Sequence, residues 1–130
     1  MDKIQILGAF NDHFIQFVED IQIVFPDNLD IATFRTALTK IRKANPRLIV
    51  TGFKEHVAEI YRKEIEKGNI NFFIDTDYKS HLIENGIQSS NMILEKIDCL
   101  REPVRNMNHA EQQKVIKYLQ NLTKLSDMYI

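Results

Sequence analysis

Between Arg35 and Lys54 the chain carries six bases and no acid: Arg35, Lys40, Arg42, Lys43, Arg47 and Lys54. Cations gathered in this way can contact phosphates, or they can pair with the acidic surface of a partner protein. The plainer reading is an exposed helix face balanced by acids on neighbouring helices. Phe34 and Phe53 are the aromatics among these bases, and both fit an apolar stripe better than a stacking platform for single strands. No helix-turn-helix or zinc-finger pattern accompanies the belt. A protein partner is therefore expected ahead of nucleic acid.

Other residues with chemical potential lack the company that chemistry needs. His13, His56, His81 and His109 form neither H-x-x-x-H nor H-x-x-E-H, so no metal ligand set is expected. His81 and Glu84 share a face, and His13 would meet His56 if the first and third helices pack, but neither pair makes a site. Asp75 to Gly86 resembles a calcium loop only at its start. Lys79, Ser80 and Gly86 occupy positions that need an oxygen ligand, glycine and glutamate. Glu55 and Glu59 share a helix face with Glu66 further on, yet Arg62, Lys63 and Lys67 stand among them, which describes a solvated, salt-laced surface. Gly8, Gly52, Gly68 and Gly86 are isolated, so no glycine-rich phosphate loop exists. Cys99 is the sole cysteine and reads as a small, buried helix residue. No cofactor, no metal and no catalysis are expected.

The elements that position the belt read as helices. Only 4 Gly and 3 Pro interrupt 130 residues, too few for a barrel or sandwich, which needs a turn about every 8–12 residues. The first helix is expected over Lys3 to Phe25, with Leu7, Phe10, Phe14, Phe17, Val18, Ile21, Val24 and Phe25 on one stripe and Pro26 as its stop. The second starts near Asp27 or Asn28 and ends near Ala44. Asn45-Pro46 then opens a third helix that reaches about Lys67, with Gly68 closing it. Asn69 to Gly86 reads as short helical turns. Ser89 or Ser90 would cap a fourth long helix through Met92, Ile93, Ile97 and Leu100, which Pro103 kinks or ends.

The last helix is the most legible. Asn108 and Glu111 have the spacing of a capping box, and Val115, Tyr118, Leu119, Leu122, Leu125, Met128 and Tyr129 follow at helical steps. The expected architecture is an all-α, single compact bundle of five or six helices, one domain over residues 1–130. Phe72, Phe73 and Tyr129 stand out as aromatics able to anchor a partner. The net charge is −1, so no overall attraction to a polyanion exists. No apolar run approaches the length of about 18 residues that a membrane span needs, and the first ten residues lack a secretory pattern.

Two stretches, F-P-D-N-L-D-I-A-T-F-R-T-A-L-T-K-I-R-K-A-N-P-R-L-I-V and R-E-P-V-R-N-M-N-H-A-E-Q-Q-K-V-I-K-Y-L-Q-N-L-T-K-L-S-D-M-Y-I, flank E-K-G-N-I-N-F-F-I-D-T-D-Y. This combination resembles a set of small helical proteins of nucleocytoplasmic large DNA viruses, algal viruses included. The resemblance carries helix and turn signals and no catalytic signature. It implies a non-enzymatic minor capsid protein, made in the host cytoplasm and built into the virion. There it would bridge other capsid proteins, the major capsid protein among them. Arg35, Lys40, Arg42, Lys43, Arg47, Phe72, Phe73 and Tyr129 are the expected partner-binding residues. The alternative is a nucleic-acid-associated accessory protein using the belt at 35–54.

Overall fold

Asp2 opens the first helix with a reciprocal cap. In a computed structural model of the chain, which describes residues 2–75 and 97–129, the Gln5 backbone N–H donates to Asp2 Oδ1 at 2.8 Å. The Asp2 backbone N–H donates to Gln5 Oε1 at 3.1 Å. Helix α1 then spans Lys3–Val24 and buries Ile6, Phe10, Phe14, Phe17, Val18 and Ile21. It stops one residue short of the expected Phe25, because Pro26 disfavours helical geometry in the residue before it. Asn28 caps α2, Leu29–Ala44, through a hydrogen bond from the Ile31 N–H at 3.1 Å. Ile31, Phe34 and Leu38 face inward from α2.

The third helix departs from expectation in its middle. It starts as α3, Arg47–Phe53, where Asn45 Oδ1 accepts the Arg47 N–H at 3.2 Å. It then widens into a π segment, Lys54–Ala58, and returns to α geometry as α4, Glu59–Glu66. Tyr61 within α4 leaves helical dihedrals at φ −109°, ψ 17°. The apolar spacing supplies a reason. Ile49, Phe53, Val57, Tyr61 and Ile65 form a strict four-residue repeat. In an α-helix of 3.6 residues per turn such a repeat drifts by about 40° at each step. The wider π turn absorbs part of that drift, so Ile49, Phe53, Val57 and Ile65 all reach the core.

Gly68 closes the rod in the left-handed region at φ +73°. The Asn69 N–H bonds back to Glu64 O at 3.0 Å, satisfying a helix-end carbonyl. Helix α5, Asn71–Asp75, follows as the expected short turn. A 3₁₀ turn at Asp98–Leu100 leads into α6, Arg101–Arg105. The helical chain at Ile97 tightens to 3₁₀ geometry at Asp98–Leu100, just before Pro103, as expected where a proline ring crowds the preceding turn. The earlier part of the expected fourth long helix lies outside the described residues. Pro103 itself is buried within α6. Helix α7, His109–Met128, has both halves of the Asn108–Glu111 capping box. It ends at Met128, with Tyr129 as its cap.

Every element among the described residues is helical, in an all-α bundle. Helix α1 packs against α2, α3 and α7, and α7 also lies along the π segment, α4 and α6. One buried cluster joins them. Phe14 is its aromatic hub, with ring centroids 6.0 Å from Phe10, 6.1 Å from Phe17 and Phe53, and 6.3 Å from Phe34. Three of these four pairs meet edge-on, worth about 0.5–1.5 kcal/mol each beyond area burial. Thr123 and Ser126 are buried on α7 without penalty, since their hydroxyls donate to Leu119 O and Thr123 O at 2.8 Å. The calcium-loop comparison beyond Asp75, Tyr78, His81, and the caps at Ser89 or Ser90 lie outside the described residues.

Candidate functional site

The basic belt divides into two halves. Arg35 and Arg42 are two turns apart on α2 and face α1. The Arg35 guanidinium pairs with Glu19 at 3.2 Å, and Arg42 pairs with Asp12 at 2.6 Å. Arg42 also approaches Gly8 O at 3.5 Å. These contacts hold α2 to α1, which is the balancing role that neighbouring acids would supply. The pairs are partly solvated, so each contributes about 1 kcal/mol or less. Lys40, Lys43, Arg47 and Lys54 form no ion pair among the described residues. Lys40 and Lys43 are exposed on the solvent side of α2 with Thr36 and Thr39. The hydroxyls of both threonines donate back to the helix at Ala32 O and Arg35 O.

Arg47 and Lys54 turn toward a second place. They line a surface cleft of about 310 Å³ with Lys3, Val50, Thr51 and Tyr129. Three segments remote in sequence build it: the start of α1, the α3–π junction and the cap of α7. Asn45 and Pro46 set the position of Arg47, and the π widening sets that of Lys54. Thr51 is held by its own backbone, donating to Arg47 O at 2.9 Å. Among the described residues the lining contains three cations, a tyrosine ring and no carboxylate.

The contrast with the other arginines is sharp. Arg62 makes a two-pronged bond to Asp127, at 2.6 and 2.7 Å, joining α4 to α7. That bond, with the nearby Asp127 charge, raises the Arg62 pKa and lowers that of Asp127. Glu59 and Glu66 add to the Arg62 effect through space, so those carboxylates serve a structural arginine. Arg105 pairs with Glu102 at 2.8 Å and donates to Ile74 O at 2.7 Å. Arg101 donates to the same carbonyl at 3.3 Å. Among the described residues Arg47 alone has a guanidinium with no hydrogen bond and no ion pair.

A polar cluster lies where α1 crosses α7. The Tyr118 hydroxyl donates to Asp20 in a short hydrogen bond. Burial and that acceptor raise the Tyr118 pKa. The His13 ring lies 4.7 Å from the Tyr118 ring, so His13 faces α7. Its Nε2 is buried without a hydrogen-bond partner, and burial lowers its pKa against the pull of Asp20. Beside it an apolar cleft of about 250 Å³ runs between Phe17, Ile21, Val24, Met107 and Val115.

Of the expected partner-binding residues, Arg47 and Tyr129 meet in one cleft, and Lys40 and Lys43 reach solvent nearby on the chain. Arg35 and Arg42 face inward to acids. Phe72 and Phe73 are core residues in this fold, 9% and 0% exposed, and are not surface anchors. Phe72 stacks on Tyr61 at 5.4 Å and meets Phe73 edge-on. Lys3 has no local signal that marks it, because its companions in the cleft are more than forty residues away.

Among the described residues no group of three or more His, Cys, Asp or Glu could hold a metal ion. Nor is any helix long and apolar enough to cross a membrane. Cys99 is half-buried, with Sγ 3.9 Å from Asp30 O. No protein family, curated protein or solved structure matches the chain.

Proposed function

We propose that this protein is a non-catalytic interaction protein that docks an acidic surface of a partner protein through Lys40, Lys43 and Arg47, with Tyr129 as an aromatic contact beside Arg47. Its setting is the one implied by the resemblance: a minor component of the capsid of a large DNA virus, bridging other capsid proteins. The observation that carries the docking part is the division of the belt. Arg35 and Arg42 have carboxylate partners within the fold, whereas Lys40, Lys43 and Arg47 have none among the described residues. Exposed cations of this kind steer and orient a partner more than they add affinity. Repetition by symmetry in a shell multiplies weak contacts through effective concentration.

Tracking a nucleic-acid backbone fits the belt less well. Two of its six cations are already paired, and the rest have one tyrosine ring, Tyr129, beside Arg47 and Lys54 rather than a row of rings for successive bases. Quantitative mass spectrometry of purified particles tests the setting. The chain is expected in a fixed ratio to the major capsid protein. Its absence from particles overturns the capsid reading.

A further inference from the structure

We propose that the cleft formed by Lys3, Arg47, Lys54 and Tyr129 is a seat for a phosphate group. Like charges repel, so three cations brought to one place from two segments remote in sequence favour an anion between them. Elsewhere the fold supplies that anion itself: Glu19 for Arg35, Asp12 for Arg42, Asp127 for Arg62 and Glu102 for Arg105. Here no carboxylate of the described residues lines the cleft, and Asp127 acts on Lys54 through space.

The donor set suits phosphate in particular. A guanidinium presents paired N–H groups that match two phosphate oxygens, and the lysines add compact positive charge. The Tyr129 hydroxyl supplies a further donor, as it has no hydrogen bond to another described residue. A single carboxylate brings one negative charge, whereas a phosphomonoester brings about −1.5 to −2, closer to what three cations balance. The volume of about 310 Å³ lies at the small end of ligand sites, which run from about 300 to 1,000 Å³. Val50 and the tyrosine ring give the bound molecule an apolar wall.

Two sources could present that group, a soluble phosphate compound or the phosphate headgroup of a lipid surface. Ile4 and Met128 are the sequence neighbours of Lys3 and Tyr129 and are 82% and 51% exposed. Apolar groups in that position are what contact with a lipid surface needs. The inference shares Arg47 and Tyr129 with the proposed docking surface, whereas Lys40 and Lys43 lie outside the cleft, so variants at those two lysines separate the two readings.

The test is a titration of the full chain with pyrophosphate, followed by amide NMR shifts, in parallel with co-sedimentation on phosphatidylcholine vesicles containing phosphatidic acid. Saturable one-to-one binding of pyrophosphate, with shifts centred on Lys3, Arg47, Lys54 and Tyr129, supports a soluble ligand. Binding to the vesicles alone supports a lipid headgroup. In either arm Arg47→Gln and Lys54→Gln are expected to weaken binding by about tenfold or more, the scale of a lost charge-assisted hydrogen bond. Lys43→Gln, outside the cleft, is expected to leave it unchanged. The Arg47 side chain has no hydrogen bond or ion pair among the described residues, so its variant is expected to fold normally. Binding of neither probe overturns the proposal, as does an equal loss in Lys43→Gln, which would mean diffuse attraction to the whole basic side.

Discussion

His13 shows how a single residue here trades solvation for packing. Its ring lies against Tyr118, its Nε2 has no hydrogen-bond partner, and its pKa falls below the ordinary 6.5 because burial disfavours the charged form, with Asp20 opposing. The folded protein therefore takes up this proton less readily than the unfolded chain. Stability from His13 is complete above the unfolded pKa and is lost as pH falls through about 6.5 toward the folded value. Asp127 has a lowered pKa too, so its share disappears only in a more acidic window, below its unfolded 3.8. We expect urea unfolding to show a shallower loss of stability between about pH 7 and pH 5 in His13→Phe than in the wild type. An unchanged slope would remove His13 from that window. Asn11 makes a similar trade. Its amide donates to Pro46 O at 3.0 Å, joining α1 to the start of α3, while its Oδ1 stays buried and unpartnered. Neither burial can be read from sequence, because each depends on which helix crosses above.

At the scale of elements, several helix ends were legible from a few neighbouring residues. Asn108 with Glu111, Asn28, Asn45-Pro46 and Gly68 act within a few residues of themselves, and each begins or closes a helix as its chemistry requires. Asp2 with Gln5 is the same device as Asn108 with Glu111, and its three-residue spacing was equally legible. The π segment was half-visible. The strict four-residue repeat from Ile49 to Ile65 departs from the helical period, yet the repeat alone does not say where the helix widens. Gly8 offers a direct test of α1. It sits inside the helix, and a Cβ built there meets nothing within 4 Å. Gly8→Ala is expected to raise stability by about 0.5–1 kcal/mol through helix propensity and a less flexible unfolded chain. Thermal unfolding would show it as a higher Tm, and a lower Tm would mean that the helix needs the glycine.

For the whole molecule, charge is the organising feature. The acids of α1 and the bases of α2 lie in opposite blocks of sequence, and folding brings some of them together. The faces of α2 could be drawn from helical periodicity, since residues 35 and 42 lie two turns apart. Which face met acids and which met water depended on where α1 lay. The cleft at Lys3, Arg47, Lys54 and Tyr129 was hidden more deeply, because both ends of the chain contribute to it. The aromatic pair Phe72–Phe73 shows the converse: a run that reads as sticky is absorbed into the core once α5 has a rod to pack on. What remains on the surface of α2 is a set of cations with no internal task.

The charge-reversed double variant Lys40→Glu, Lys43→Glu puts that set to the test. Both side chains are exposed and form no ion pair among the described residues, so the variant should keep the wild-type Tm. Its incorporation into particles, measured against the major capsid protein, should collapse. A folded double variant that enters particles at the wild-type ratio would contradict docking through the solvent side of α2.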